Sequence, residues 1–205
     1  VKTVTELTYG TWRKQSGWSP LYVTKAYDVY FEDADGKRYL DFSSQLVNTN
    51  LGHANKRIAE AVYQQLLSLE YVQPGFATEI RAKVASELKT VLPENLTKYF
   101  FGSSGADANE TAIKIIRLVH KKDGKIKIIS LYNSYHGATT GSISLTGDFR
   151  RIAVDNVHST THVVHAPPPY CYRCPLKLKY PECNLACAEY IDYMIKNEGN
   201  VGGII

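Results

Sequence analysis

A run of small residues, 102–105, joins a short aromatic segment to a helical pattern, and its residue types suit anion binding. Apolar side chains recur every three or four positions behind it and predict a helix over residues 106–121. The first turn of a helix carries free N–H groups and the positive end of the helix dipole, and small residues let an anion come close. The pattern predicts an anion site, of the kind that holds a phosphate, at Ser104, Gly105 and Ala106.

The four cysteines form a second candidate site because they are clustered rather than scattered. Cys171 and Cys174 make a C-x2-C pair, and Cys183 and Cys187 make a C-x3-C pair. Four thiolates at this spacing could bind a zinc ion or an iron–sulfur cluster, and such a metal would be structural because protein ligands fill every position. Two disulfides and four free thiols are the alternatives. The segment, residues 167–187, resembles an insertion between a strand and a helix.

Composition limits the class of protein. The chain has 205 residues, of which 44% are hydrophobic and 21% charged, so it can bury the core of one large domain or somewhat more. The net charge is only +4 and the basic residues are scattered, so we expect no nucleic-acid partner. No apolar run approaches the roughly 20 residues that span a bilayer, and the N-terminus lacks the apolar core of a signal peptide. We therefore expect a cytoplasmic protein with no membrane partner.

The first third of the chain predicts a small α+β region. Residues 1–26 indicate an irregular arm that could contain one short helix, and strand-like runs over 27–32 and 37–42 flank a turn, which predicts a β-hairpin. Amphipathic helices are predicted over 55–69 and from Thr78 onward. We place the arm, the small-domain hairpin and a linker helix in residues 1–70, and the first part of a large α/β domain in residues 71–205.

Strands and helices alternate in the second region. A strand over 98–101, the helix over 106–121 and a strand over 125–131 predict a parallel pair with a right-handed crossover. Tyr135 and His136 follow the carboxyl end of the second strand, where open α/β sheets bind ligands. We therefore expect them to line one crevice with residues 104–106. Further strands are predicted over 161–165 and 201–205, with a helix over 189–196 between them.

Four motifs, in this order, resemble those of the class III pyridoxal-phosphate aminotransferases, which have the fold-type-I architecture. They are Asp33-Ala34-Asp35-Gly36-Lys37-Arg38-Tyr39-Leu40-Asp41-Phe42, Asn50-Leu51-Gly52-His53, Ser104-Gly105-Ala106-Asp107-Ala108-Asn109-Glu110-Thr111-Ala112-Ile113-Lys114 and Tyr135-His136-Gly137. The resemblance implies an α/β protein of fold type I, with a small α+β N-terminal segment and the first part of a mostly parallel-sheet large domain. It also implies pyridoxal 5'-phosphate as the cofactor.

By this resemblance, residues 104–106 hold the cofactor phosphate. The family usually has Ser or Thr where Ala106 stands, so the backbone N–H groups of Gly105 and Ala106 would do more of the holding. Tyr135 matches the residue that stacks on the pyridine ring, and a flat aromatic face suits a flat cationic heterocycle. His136 would support that turn by hydrogen bonding rather than act as an acid or base.

The resemblance also assigns a substrate pocket and an assembly. Leu46 and Val47 match the stretch that lines the pocket, and the loop at Gln73 and Pro74 lies near the active site across a dimer interface in this family. We therefore expect a homodimer or a higher homo-oligomer. The family's Schiff-base lysine and its pyridine-nitrogen carboxylate match no residue up to Ile205, so we expect an N-terminal half that is inactive alone.

The implied reaction is the transfer of an amino group from an amino acid to a 2-oxo acid such as 2-oxoglutarate or pyruvate. The donor could be an omega-amino acid such as 4-aminobutyrate. A racemase or a decarboxylase on the same scaffold is the alternative among enzymes, because the early motifs are shared. The alternative from another class is a non-catalytic metal-binding module built around the four cysteines.

Overall fold

The computed structural model describes residues 2–152 and 162–205. The chain divides into two compact units, residues 1–93 and 94–205. This division lies further along the chain than the boundary that we predicted after residue 70, because the second predicted helix clusters with the first unit. Among the described residues, no helix is both long and apolar enough to cross a membrane.

The first unit is built on a three-stranded antiparallel sheet. Helix α1 (Lys2–Leu7) precedes strands β1 (Val23–Tyr27), β2 (Tyr30–Asp33) and β3 (Arg38–Leu40), which lie in the order β1-β2-β3. The hairpin prediction is confirmed by the pairing of β2 with β3. The prediction of an irregular arm is wrong over residues 23–26, because they belong to β1, which pairs with β2.

A buried carboxylate holds the hairpin turn. Asp33 is 7% exposed. Its side chain accepts hydrogen bonds from the N–H groups of Asp35 and Lys37, at 3.0 and 2.9 Å, and from the hydroxyl of Tyr39 at 2.8 Å. Gly36 has a φ of 78°, a region that glycine enters without steric cost.

Two capped helices complete the first unit. Helix α3 (Lys56–Leu69) begins after Asn55, and helix α4 (Glu79–Val91) begins after Thr78, with both cap side chains accepting backbone N–H groups. Both predicted helices are therefore confirmed. Amphipathic helices usually bury their apolar face, but none of the residues of α3 and α4 is buried within the described chain.

The segment Ser44–Val47, labelled α2, turns in the left-handed sense. All four residues have positive φ, between 48° and 65°, although none is glycine. Left-handed helical conformation costs about 1–2 kcal/mol per residue when a Cβ is present. Neither propensity nor periodicity predicts such a turn.

The second unit contains a parallel sheet with helices packed on it. Its strands β4 (Lys127–Leu131), β5 (Val163–Ala166) and β6 (Val201–Ile204) lie in the order β5-β4-β6, and β4 pairs in parallel with both neighbours. The three predicted strands in this region are confirmed over these bounds, apart from residue 161, which lies outside the described residues. Among the described residues, the α-helices of this unit are α5 (Gly105–Val119), α6 (Thr140–Leu145), α7 (Phe149–Ile152) and α8 (Ala186–Glu198), and Cys171–Arg173 form a short 3-10 helix.

The predicted strand over 98–101 is wrong, because these residues have no regular secondary structure. Phe100 and Phe101 favour a strand by residue type, yet they are 62% and 45% exposed and pair with no strand in the described chain. The predicted crossover therefore does not form between 98–101 and β4. The parallel pairs are instead those of β4 with β5 and β6.

The core of the second unit lies between α5, α6 and the sheet. It centres on Ile113, Ile128 and Leu145, and Ile128 and Leu145 are fully buried. Gly203 lets α5 approach β6, because a Cβ at this position would lie 2.6 Å from the Cδ1 of Ile116. This close packing fixes α5, whose first turn carries the predicted anion site.

Gly147 likewise allows a close approach between segments, here at the carboxyl end of β4. A Cβ there would collide with the carbonyl oxygen of Leu131 and lie 2.6 Å from the Cα of Tyr132. The N–H of Gly147 donates to the carbonyl of Ser134 at 2.9 Å, and its carbonyl accepts from the N–H of Asn133 at 3.1 Å. The segment after α6 thereby supports the loop that follows β4.

We expect Gly147→Ala to lower the free energy of unfolding by about 1–3 kcal/mol, because backbone rather than a flexible side chain occupies the space. Chemical denaturation followed by circular dichroism measures the change. Gly105→Ala is the matched control, since a Cβ there meets nothing within 4 Å. Equal effects of the two substitutions would contradict the packing argument.

Candidate functional site

The first turn of α5 presents two unpaired backbone donors. Ser104 is the N-cap, with extended backbone at φ −159° and ψ 166°, and its hydroxyl accepts from the N–H of Asp107 at 3.1 Å. Within the described chain, the N–H groups of Gly105 and Ala106 have no acceptor. The space around Gly105 is open. A helix start with free donors and open space fits a phosphate group.

The loop after β4 lies directly against this turn. The side-chain amide of Asn109 donates to the carbonyl of His136 at 2.7 Å. Gly137 has a φ of 131°, and a Cβ there would lie 2.6 Å from the Cβ of Ala106. The structure therefore brings the two predicted motifs together. Their neighbourhood arises from contacts between a helix and a loop, not from adjacent strands as we expected.

A carboxylate that we assigned no role anchors the same region. Glu110 accepts hydrogen bonds from the hydroxyl of Thr139 at 2.5 Å and from the N–H groups of Gly141 and Ser142 at 2.8 and 3.1 Å. It therefore caps the N-terminus of α6 from another helix. Burial acts to raise the pKa of Glu110, but the hydrogen bonds from these three residues, with the charge of Lys114, bring it below its ordinary value.

His136 is placed to support the loop. Its N–H donates to the hydroxyl of Thr146 at 3.1 Å, and its Nδ1 lies 3.4 Å from the hydroxyl of Ser134. Burial lowers the pKa of His136, although a hydrogen bond with the Leu145 backbone acts in the opposite direction. These contacts agree with a supporting role, which stays a prediction.

Tyr135 carries a cation on one face of its ring. The guanidinium of Arg150 lies 4.7 Å from the ring centroid, and Arg150 is also paired with Asp148. Tyr135 is 52% exposed. A flat ligand would use the face of the ring opposite Arg150. The sequence offered no signal for Arg150, because a cation–π contact between residues this far apart depends on the fold.

Leu46 and Val47 lie in the first unit, on the left-handed turn. They are 86% and 72% exposed, so neither belongs to the core of that unit. Gln73 and Pro74 lie in the loop between α3 and α4. The assignment of these residues to a substrate pocket stays a prediction.

The four cysteines surround one small apolar cavity, with Pro168, Leu178 and Tyr180 among its other walls. All four are free thiols, so the alternative of two disulfides is not found. Over residues 2–152 and 162–205, no group of three or more His, Cys, Asp or Glu could hold a metal ion. The structure thus gives the zinc and iron–sulfur predictions no support. Proximity around a cavity does not by itself create the close tetrahedral geometry that a metal needs.

Comparison with solved structures identifies the architecture. The taurine:2-oxoglutarate aminotransferase from Bifidobacterium kashiwanohense, solved with PLP and glutamate, matches with a TM-score of 0.85 at 35% identity. The match covers 98% of this chain and 45% of that protein. The fold is that of the pyridoxal-phosphate-dependent transaminases, which confirms the predicted α/β fold of type I.

The family follows from the sequence as a whole. The model of the family described as "Aminotransferase class-III" matches residues 12–205. The chain belongs to the class III aminotransferase family.

Individual relatives have more than one activity by name. The leucine/methionine racemase of Thermococcus litoralis is 32% identical over 191 residues, which cover 91% of this chain and 42% of the racemase. The acetylornithine aminotransferase of Bacillus subtilis is 39% identical over 140 residues, which cover 68% of this chain and 33% of that enzyme. The chain thus spans less than half the length of these relatives.

We expect Glu110→Gln to destabilise the protein by about 1–2 kcal/mol at neutral pH, the range of a lost helix cap. Because the pKa of Glu110 is lower in the folded protein, its stabilisation is present above the ordinary carboxyl pKa and is lost as the pH falls through the lowered value. The difference between wild type and variant should therefore shrink in acid. Urea unfolding at a series of pH values measures this.

Glu87→Gln is the matched control, because Glu87 is exposed on α4. It should change the free energy of unfolding by less than about 0.5 kcal/mol at every pH. A Glu110→Gln difference that stays constant with pH would contradict the capping role of the charge.

For the cysteines, we expect four reactive thiols after unfolding without reductant, because the structure contains four free cysteines. We also expect less than one zinc per chain by elemental analysis of protein purified without chelator. Stoichiometric zinc that is released together with the thiols would contradict the free-thiol state and would restore the metal hypothesis.

Proposed function

We propose that this chain forms the phosphate-binding and ring-binding part of a pyridoxal-phosphate-dependent aminotransferase. The observation that carries the proposal is the pair of unpaired N–H groups at Gly105 and Ala106, held beside Tyr135 by the bond from Asn109 to His136. Family membership supports the same cofactor. The reaction would move an amino group from an amino acid, such as the omega-amino acid 4-aminobutyrate, to a 2-oxo acid.

Each residue would have a distinct task at this site. The N–H groups of Gly105 and Ala106 would hold the phosphate, and because residue 106 has no hydroxyl the backbone would carry more of the binding. Tyr135 would stack on one face of the cofactor ring and hold the ring in place. When bound, pyridoxal phosphate supplies an electron sink for bond cleavage at the substrate carbon.

Other groups of the chain would shape the surroundings. Leu46 and Val47 would line the substrate pocket and exclude water from it. His136 would hold the loop, through the bond from its backbone N–H to the hydroxyl of Thr146, rather than move a proton. The lysines of this chain do not match the position that bonds the cofactor, so the activity is proposed for a protein that also carries that lysine. We further propose a cytoplasmic homodimer, on the family resemblance alone.

Racemisation is the second candidate, because the relative from Thermococcus litoralis is a racemase by name. Product analysis with one amino acid and no oxo-acid acceptor separates the candidates. A racemase would invert the α-carbon and release no keto acid, whereas a decarboxylase would release carbon dioxide. An aminotransferase would stop after one half-reaction until a 2-oxo acid is added.

The binding proposal is tested by Gly105→Pro in the full-length protein. Proline suits the first position of a helix and the preceding Ser104 is already extended, so the fold should persist while one N–H donor is lost. A hydrogen bond to a charged group contributes about 1.5–3 kcal/mol, so the Kd for pyridoxal phosphate should rise roughly 10- to 100-fold. The visible absorbance of the bound cofactor measures the Kd.

Gly105→Ala is the control, because it keeps the N–H and adds a Cβ at residue 105, as proline also does. The Kd of the proline variant should therefore exceed that of the alanine variant by roughly 10- to 100-fold. If the Gly105→Pro variant binds the cofactor as tightly as the Gly105→Ala variant does, the N–H of residue 105 does not hold the phosphate.

A further inference from the structure

The left-handed turn at Ser44–Val47 is the longest run of positive φ values in the described chain. Its four φ values are 48°, 48°, 59° and 65°, and Gln45 and Leu46 have ψ values of 58° and 44°. Side chains with a Cβ clash with the backbone in this region, and a β-branched residue such as Val47 clashes most. Strain of this kind persists only where surrounding contacts enforce it.

One carboxylate supplies those contacts. Asp41 accepts the N–H of Gln45 at 3.2 Å and lies 3.4 Å from the hydroxyl of Ser43, on the entry side of the turn. Its other oxygen receives the hydroxyl of Thr49 at 3.4 Å and lies 2.7 Å from the Nε2 of His53, on the exit side. Asp41 therefore ties the two ends of the turn to one point.

That point is fixed to the sheet of the first unit. The side chains of Asp41 and His53 are only 3% and 12% exposed. The backbone of His53 exchanges two hydrogen bonds with Asp28, at 2.7 and 3.1 Å, and the N–H of Asp41 donates to the carbonyl of Val29 at 2.8 Å. Asp41 and His53 therefore fix the turn relative to the residues just before β2.

The strained turn does not bury the apolar side chains that it carries. Leu46 and Val47 are 86% and 72% exposed, so the described first unit offers them no core in return. Strained backbone of this kind clusters at active sites and ligand clamps. The same two residues are those that the family resemblance assigns to the substrate pocket.

We propose that Asp41 and His53 are positioning residues that set substrate specificity by holding the left-handed turn, which presents Leu46 and Val47 to the side chain of the amino donor. This inference rests on the proposed function, because it takes the substrate to be an amino acid. Neither Asp41 nor His53 touches the substrate in this proposal. Their effect passes through the backbone of residues 44–47.

The test compares Asp41→Ala with Leu46→Ala in the full-length protein loaded with pyridoxal phosphate. The readout is the ratio of kcat/KM between linear amino donors that differ by one methylene, which a pocket can discriminate by roughly 10- to 200-fold. We expect Asp41→Ala to reduce this ratio at least about fivefold, mainly through KM. The double variant should lose less discrimination than the product of the two single losses, because both changes act through the same turn.

Three further variants keep the test decisive if Asp41→Ala folds poorly. Asp41→Asn retains an acceptor for Gln45 and should fall between wild type and Asp41→Ala. Ser44→Gly in the Asp41→Ala background should restore part of the ratio, because glycine enters the left-handed region without steric cost. Asp35→Ala, at an exposed position in the hairpin turn, should leave the ratio unchanged.

An unchanged ratio in both Asp41 variants, with an altered ratio in Leu46→Ala, would overturn the proposal. Full additivity of Asp41→Ala and Leu46→Ala would overturn it as well. The cofactor Kd should stay within about twofold of wild type in every variant, because residues 104–106 belong to the other unit. A wild type without a cofactor band would refute the proposed function, whereas a loaded wild type with unresponsive variants refutes only the positioning role.

Discussion

Two neighbouring side chains of α5 hold the loop after β4 and the start of α6 beside the candidate site. Asn109 bonds the carbonyl of His136, and Glu110 bonds the hydroxyl of Thr139 and the first N–H groups of α6. Most of the groups that Asn109 and Glu110 bond are backbone groups. The bonds therefore set the path of the chain rather than the conformation of single side chains. The loop after β4 must therefore lie against the first turn of α5. Gly137 is the residue that allows the final approach, because no side chain fits there.

The same device recurs in both units: a carboxylate accepts backbone N–H groups and fixes a turn that the local sequence would not hold alone. Asp33 does so in the hairpin, Asp41 at the left-handed turn and Glu110 at the start of α6. The hydroxyl of Tyr39 lowers the pKa of Asp33. Burial opposes ionisation of Asp41 and Glu110, yet hydrogen bonds, from His53 and Thr139 first, bring the pKa of each carboxyl below its ordinary value. Ionised carboxylates thus fix backbone geometry within each unit, and do not only add charge.

Sequence reasoning succeeded where the signal is short in range. Helices α3, α4 and α5 begin after Asn55, Thr78 and Ser104, whose side chains cap the helix from within three residues. The strand prediction over 98–101 failed for the opposite reason: aromatic residues favour a strand, but a strand exists only with a partner. The cysteine spacing left metal, disulfides and free thiols open, because spacing along the chain does not fix the distances between sulfur atoms.

The sequence by itself determined the family and the fold class and predicted the phosphate loop, since these rest on motifs and periodicities that a few consecutive residues express. Only the tertiary structure decided how the loop is completed. The bonds of Asn109 and Glu110 join residues 27 to 32 positions apart, and the cation on Tyr135 comes from the later helix α7. The left-handed turn at 44–47 is likewise a product of Asp41 and His53, which enforce a backbone that no local preference would choose. Strain and long-range hydrogen bonds depend on which segments pack together, and that information is spread over the whole chain.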